Sequence, residues 1–95
     1  MQSKLGSYLG LAKRANALVY GYDNIKSEKN VCLIVMCKDA NSKLREHIYN
    51  LVEKLNLPIR VLKEKQLDDI LYTTNCKVVG LINKNFLKPI LDSEE

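Results

Sequence analysis

The residues best suited to recognise a ligand lie in one short turn, Gly21-Tyr22-Asp23-Asn24-Ile25-Lys26. Nucleic-acid recognition requires cations that neutralise phosphates and polar side chains that reach base edges. In this turn the Asn24 amide is suited to a base edge, and Lys26 is suited to a phosphate. A Gly-Tyr-Asp-Asn turn is also an ordinary connection between a strand and a helix, so the turn alone leaves both interpretations open.

The pattern of nucleophiles and bases does not indicate an enzyme. A nucleophile needs a base within hydrogen-bond reach, and the base needs a third group that orients it. His47 is the only histidine, and it lies beside the apolar stripe of a predicted helix, where a partly exposed or packing side chain is expected. The acidic pair Asp68-Asp69 is a poor acid–base couple, because adjacent helical residues point about 100° apart. We therefore expect no catalytic residues and no cofactor.

The cysteines do not indicate a metal site. Cys32, Cys37 and Cys76 are an odd number of cysteines, and no Cys-x-x-Cys pair is present. A metal would need a fourth ligand, and His47 is alone on its helix. Reduced thiols packed inside a domain are expected, with Cys32 inside a strand as a small hydrophobic residue.

Charge indicates a mild basic bias. The net charge is +4 and the isoelectric point is about 9.0, which is consistent with a polyanionic partner. The first third of the chain is rich in cations, whereas Asp92, Glu94 and Glu95 close it. No apolar stretch approaches the ~18 residues of a membrane helix, and the first residues lack the apolar core of a signal peptide. A cytoplasmic protein without a membrane partner is expected.

The hydrophobic pattern predicts alternating helices and strands in one domain, residues 1–95. Nearly continuous apolar runs at 31–36 and 78–82 imply strands that are buried on both faces. The fold class is therefore α/β, a three-layer α-β-α sandwich with a four-stranded mixed sheet. Strands are predicted at 18–20, 31–36, 59–62 and 77–82, and helices at 3–15, 23–28, 64–71 and 86–91. A further helix, which Asp39, Asn41 or Ser42 can cap, carries the apolar stripe from Leu44 to Leu55.

Three glycines are expected to have packing roles. Gly6 and Gly10 weaken the first helix, and we expect them to let another backbone approach closely. Gly80 lies inside the last strand, where it predicts close packing against a neighbouring element.

Three stretches carry a resemblance to a known family: Leu9-Gly10-Leu11-Ala12-Lys13-Arg14-Ala15, the Leu33 to Asn41 junction, and Val78-Val79-Gly80-Leu81-Ile82 with Phe86 following. In order and separation they resemble the kink-turn RNA-binding ribosomal protein family (the "L-seven-Ae" group), and its short bacterial members in particular. The resemblance covers residues 5 to 91. It implies the α-β-α sandwich and binding to kink-turn RNA, in which sheared G·A pairs present base edges.

The resemblance also implies which residues face the RNA. The recognition helix of the family opens with a Gly-x-Asn-Glu-x-x-Lys pattern. Gly21 matches the glycine, and Asp23 and Asn24 stand at the Asn and Glu positions. Lys26 lies one place before the position of the lysine.

A second RNA-facing element in the family is the loop before the last strand. Here Tyr72 occupies the position of a family glycine, and Thr73 follows it. Stacking of Tyr72 on a base would be worth ~1–3 kcal/mol. Lys13 and Arg14 would extend the basic surface from the end of the first helix.

Two functions are compatible with these features. The first is non-catalytic binding of structured, kink-turn-like RNA in association with the ribosome or translation, with ribosomal RNA as one candidate. The alternative is a protein-interaction module that keeps the fold but has lost RNA binding. The altered recognition helix and the acidic pair Asp68-Asp69 favour that alternative, which requires a protein partner.

Overall fold

The computed structural model describes residues 4–93, which form five α-helices and four strands. The helices are α1 (Lys4–Arg14), α2 (Tyr22–Ser27), α3 (Ser42–Leu55), α4 (Leu67–Leu71) and α5 (Leu87–Asp92). The strands are β1 (Leu18–Tyr20), β2 (Leu33–Cys37), β3 (Ile59–Leu62) and β4 (Val78–Leu81), and a 3-10 turn, Lys84–Phe86, precedes α5. None of the helices within residues 4–93 is both long and apolar enough to cross a membrane.

The four strands form one mixed sheet in the order β1-β4-β2-β3. Strand β4 is antiparallel to both β1 and β2, and β3 is parallel to β2. In this register Tyr20 pairs with Val79, Met36 with Val78, and Cys37 with Leu62. The first three strands therefore end at the same edge at which β4 begins. We call this the upper edge of the sheet.

Helices cover both faces of the sheet, as the sequence predicted. Helices α1, α4 and α5 pack on one face, where Leu9, Leu71 and Ile90 belong to the same core cluster as alternate residues of β2. Helices α2 and α3 pack on the other face, through Ile25 and Ile48. Every residue of β2 is completely buried, which confirms the strand with two covered faces and the three-layer sandwich.

Several element boundaries differ from the prediction. β1 and β3 were predicted correctly, but β2 begins at Leu33 rather than at residue 31. Cys32 therefore lies just before the strand and not inside it, although its N–H still donates to the Leu81 carbonyl at 2.8 Å. Ser3, the first residue of the predicted first helix, lies outside the described residues. Helix α1 ends at Arg14.

The predicted start of α4 was wrong by three residues. The helix begins at Leu67 because Gln66 has an extended backbone, with φ −107° and ψ 139°. Residues 64–66 are therefore outside the helix.

The glycines gave one correct and one wrong prediction. A Cβ atom at Gly80 would lie 3.1 Å from Ile25 Cγ1 and 3.3 Å from Val31 Cγ1, which confirms that this glycine permits close packing. A Cβ atom at Gly10 would have no heavy atom within 4 Å, so no backbone approaches it. The predicted close approach at Gly10 was wrong, because this side of α1 faces an open groove.

Candidate nucleic-acid interface

A cleft of about 550 Å³ lies at the upper edge of the sheet. The turn that follows β1, the N-terminus of α3 and the loop before β4 form its walls, through residues that include Gly21, Asn41 and Thr73. The strand order explains this meeting, since β4 lies between β1 and β2. In α/β folds, the carboxyl ends of strands are the usual place for ligands.

The backbone of Gly21 forms one wall of the cleft. Its φ of 84° and ψ of 153° belong to a region that only glycine adopts readily. Its N–H donates to the Val78 carbonyl at 3.2 Å, and its carbonyl accepts from the Ile25 N–H at 3.0 Å. A Cβ here would meet no heavy atom within 4 Å, so the glycine is required by the backbone conformation, and the space beside its α-carbon is open to a ligand.

The opposite wall is a loop that Asp68 holds in place. Its Oδ1 accepts hydrogen bonds from the Cys76 N–H at 2.7 Å and from the Thr73 hydroxyl at 3.0 Å. Its Oδ2 accepts from the Asn75 N–H at 3.1 Å. The bond from Cys76, with smaller contributions from those of Thr73 and Asn75, holds the pKa of Asp68 below its usual range. Asp68 thus fixes the conformation of the loop, and the Thr73 hydroxyl already donates a hydrogen bond to Asp68.

Tyr72 projects from this loop, and its side chain is 86% exposed. Its φ of 55° and ψ of 46° place it in the left-handed region at the end of α4. The ammonium of Lys13 donates to the carbonyl of Leu71 and lies 5.9 Å from the centre of the Tyr72 ring. Helix α1 and the loop before β4, which were assigned to RNA separately, are therefore in contact.

Lys13 and Tyr72 share a groove of about 580 Å³ between α1 and α4, which Arg14 also lines. Tyr72 lines this groove, and the next residue, Thr73, lines the cleft. We call the groove between α1 and α4 the α1 groove, and the cleft at the upper edge of the sheet the upper cleft. The two concavities adjoin at the loop.

The remaining predicted residues are only partly brought to the upper cleft. The Asn24 amide donates to the Tyr20 carbonyl at 2.8 Å, which anchors α2 to the end of β1. Asp23 and Lys26 are exposed and line two neighbouring depressions on the side of α3, with His47 in both. Lys26 therefore lies in a different concavity from Lys13 and Arg14.

Tyr22 lines both the upper cleft and the depression beside Lys26, and it forms an aromatic pair with His47. The rings of Tyr22 and His47 stack with their centres 5.0 Å apart and their planes at 27°. The sequence predicted a packing role for His47, and the stack agrees with it.

Among the polar residues that line the upper cleft, Asn41, Asn75 and Lys77 were missed as site residues. Asn41 was predicted only as a possible helix cap, and its Oδ1 does accept from the Leu44 N–H at 2.8 Å. No pattern in the sequence indicated Lys77, because only the strand order places it opposite Asp39. The Lys77 Nζ atom lies 3.1 Å from the Asp39 Oδ2 atom. That hydrogen bond raises the pKa of Lys77.

The thiols show no sign of activation. Burial raises the pKa of Cys32, Cys37 and Cys76, which disfavours the thiolate form that attacks substrates or binds metals. Cys37 is fully buried, and its sulfur accepts the Leu67 N–H at 3.3 Å. Within the part of the chain that the structure describes, no group of three or more His, Cys, Asp or Glu side chains could hold a metal ion.

Comparison with known proteins adds information on the fold alone. No family model matches the chain, and no curated protein matches it. Among solved structures it is similar to a protein of unknown function from Bacillus halodurans, with 23% sequence identity, a TM-score of 0.86 and 95% of each chain covered. The two proteins share the fold over nearly their whole length.

Proposed function

We propose that this protein binds structured RNA of the kink-turn type, without catalysis, through the upper cleft and the adjoining basic surface. The observation that supports this best is the meeting of Gly21 and Thr73 in one cleft. The resemblance to the kink-turn-binding family assigns RNA contacts to both segments, which are far apart in the sequence. RNA of the ribosome or of translation is the class of partner we expect.

The chemistry of the surface suits a distorted RNA turn. Sequence-specific proteins read RNA mainly where bases are unpaired or displaced, because the major groove of a regular helix is too deep and narrow. The upper cleft offers open space beside the Gly21 α-carbon for close approach of the RNA, and the Asn75 side chain for hydrogen bonds to such base edges. Lys13 and Arg14 line the α1 groove and Lys26 lines a depression beside α3, so these cations can neutralise phosphates of an RNA that extends beyond the cleft.

Protein binding is the second candidate, and one ion pair favours it. Asp39 lies against Lys77, so the cation that lines the upper cleft is already partly neutralised. A cleft of lower positive charge is suited to a protein segment as well as to RNA. We place the protein in the cytoplasm under either function, in keeping with its three free thiols.

The test is a binding titration at several salt concentrations with a kink-turn RNA and a straight duplex of the same length and base composition. We expect tighter binding to the kink-turn RNA and a salt-dependent affinity for both. Equal and weak binding to the two RNAs would contradict the proposal. A protein partner that is retained after nuclease treatment, together with that result, would establish the second candidate.

A further inference from the structure

Another cleft lies at the end of the sheet where β1 and β2 begin and β4 ends, and we call it the lower cleft. Its volume is about 530 Å³, and it is formed by the turn from α1 to β1, the loop before β2 and the residues after β4. The Cys32 N–H donates to the Leu81 carbonyl and the Ile82 N–H donates to the Ala17 carbonyl, both at 2.8 Å, so the sheet holds these three segments together. Pockets of ~300–1,000 Å³ are typical of small-molecule sites.

The lower cleft carries positive charge without a matching carboxylate. Lys29 and Lys84 line it, and none of the described residues that line it is acidic. Neither ammonium group has an ion-pair partner within residues 4–93. The carboxylate of Glu28 lies outside the lining and accepts a hydrogen bond from the Asn30 N–H at 3.2 Å. Two cations that no carboxylate neutralises, in one concavity, favour an anionic ligand.

The positive charge acts on the wall of the cleft. Cys32 lines this wall, and burial raises the pKa of its thiol, whereas the Lys84 ammonium is one of the groups that oppose the rise. The end of α1 is also close by, and the free carbonyls at a helix end repel an anion. Here the Ala12 carbonyl accepts from the Ala17 N–H at 2.8 Å, which reduces that repulsion.

Three asparagines provide hydrogen bonds for a hydrophilic ligand. The side chains of Asn16 and Asn30 line the cleft, are exposed and make no hydrogen bond within residues 4–93. The Oδ1 atom of Asn83 accepts from the Asn85 N–H at 2.9 Å, which leaves its amino group as a donor. An amide both donates and accepts, so it suits the hydroxyl groups of a sugar. Half of the residues that line the cleft are lysines or asparagines.

We propose that the lower cleft binds a small sugar phosphate, either free or as part of a mononucleotide, with its phosphate near Lys29 and Lys84 and its hydroxyl groups on the asparagines. A phosphate monoester carries a charge of about −1.5 to −2 at pH 7, which matches two lysines, and the sugar supplies the hydroxyl groups. This site is separate from the upper cleft, and it does not depend on the proposed function.

The experiment follows the amide chemical shifts of the full chain in titrations with ribose 5-phosphate and with adenosine monophosphate. At least one of them should give saturable shifts at residues 29–32 and 82–84 and leave Thr73 and Asn75 unchanged. Ribose and inorganic phosphate are the matched controls, and each should bind at least about tenfold more weakly, because each lacks half of the contacts. Equal affinity for the two sugar phosphates would assign recognition to the part that they share, whereas tighter binding of the nucleotide would give the base a role.

Substitutions locate the site. Lys29→Ala and Lys84→Ala should each weaken binding about tenfold, since each removes a charged partner of the phosphate. Asn16→Gly keeps the left-handed backbone, with φ 55°, and removes the amide, so it should weaken binding of the sugar phosphate and leave that of inorganic phosphate unchanged. Lys88→Ala removes an exposed charge outside the cleft and should bind normally. All four side chains are exposed, so these variants are expected to fold.

Three outcomes would overturn the proposal: no saturable shift at the lower cleft, equal affinity for inorganic phosphate, or equal losses in Lys84→Ala and Lys88→Ala. A saturating amount of kink-turn RNA should leave the affinity for the sugar phosphate unchanged. Displacement by the RNA would mean that the lower cleft belongs to the RNA interface, and it would also overturn a separate site. The titrations without RNA do not require RNA binding, so failure of the proposed function would leave their result intact.

Discussion

The carboxylate of Asp68, on α4, accepts a hydrogen bond from the backbone N–H of Cys76 at 2.7 Å, just before β4 begins. This bond closes the loop that carries Tyr72 and Thr73, and so fixes one wall of the upper cleft. The sequence suggested that the acidic pair Asp68-Asp69 weighed against RNA binding. In the structure, the carboxylate of Asp68 is turned to three donors of its own loop.

The first prediction concerns the acid stability of this loop. The pKa of Asp68 is lowered in the folded protein, chiefly by the hydrogen bond from Cys76. A carboxylate with a lowered folded pKa contributes stability that is fully present above its unfolded pKa, and that is lost as the pH falls through the folded value. The protection of the Asn75 and Cys76 amides, measured against their intrinsic exchange rates, should therefore fall below about pH 4, and titration of this group should not change it near neutrality.

Asp68→Asn tests that assignment. The variant should show faster exchange at Asn75 and Cys76 at neutral pH, and a weaker acid dependence. Asp69→Asn, which changes the exposed neighbouring carboxylate, should leave both unchanged. Equal effects of the two substitutions would contradict the role of Asp68.

The second prediction concerns the core. Leu33→Ala should lower the free energy of unfolding by ~2–5 kcal/mol, because Leu33 is completely buried in β2. Leu51→Ala should fall at the lower end of that range, since Leu51 is 9% exposed. Leu55→Ala is the control on the same helix, because Leu55 is 47% exposed, and it should change stability by no more than about 0.5 kcal/mol. Urea unfolding measures all three variants.

The buried strands were predictable from the sequence for a physical reason. A strand that is covered on both faces must be apolar at every position, so the runs that contain Leu33 and Val79 are visible without knowledge of their neighbours. The start of α4 was not predictable in the same way. One turn of helix has too few apolar positions to fix its boundary, and the extended backbone at Gln66 leaves no pattern.

The assembly of the site was much less predictable. Gly21 and Thr73 share a cleft only because β4 lies between β1 and β2, and hydrophobic periodicity does not specify the order of strands in a sheet. The left-handed backbone of Tyr72 and the hydrogen bond from Asn24 to Tyr20 also depend on the assembled fold. The residue types that favour RNA were visible in the sequence, whereas their distribution over the upper cleft, the α1 groove and the depressions beside α3 was not.

The third prediction compares one substitution at two glycines. Gly21→Ala should lower the free energy of unfolding by ~1–3 kcal/mol, since φ is 84° there and a Cβ strains that backbone. Gly10→Ala should raise it by up to about 1 kcal/mol, because alanine is favoured within a helix and its Cβ meets open space. Thermal unfolding measurements show whether each substitution raises or lowers the stability. A loss of stability in Gly10→Ala would mean that the α1 groove is occupied by packing after all.

The last prediction separates specific RNA contacts from general attraction by charge. Replacing Lys13 and Arg14 together by Ala should weaken binding to every RNA and reduce the salt dependence of the affinity, because phosphate contacts carry little sequence information.

The matched control replaces Lys29 and Lys84 by Ala, since these two line a separate concavity with the end of β4 and the loop before β2. This control also removes two positive charges, but from the end of the sheet opposite to the upper edge. If the interface is at the upper edge, the control should retain most of the affinity and salt dependence, and unfolding measurements should show that both double variants are folded. Equal losses in the two would mean that the RNA responds to net charge alone, and that neither the upper cleft nor the α1 groove is its site.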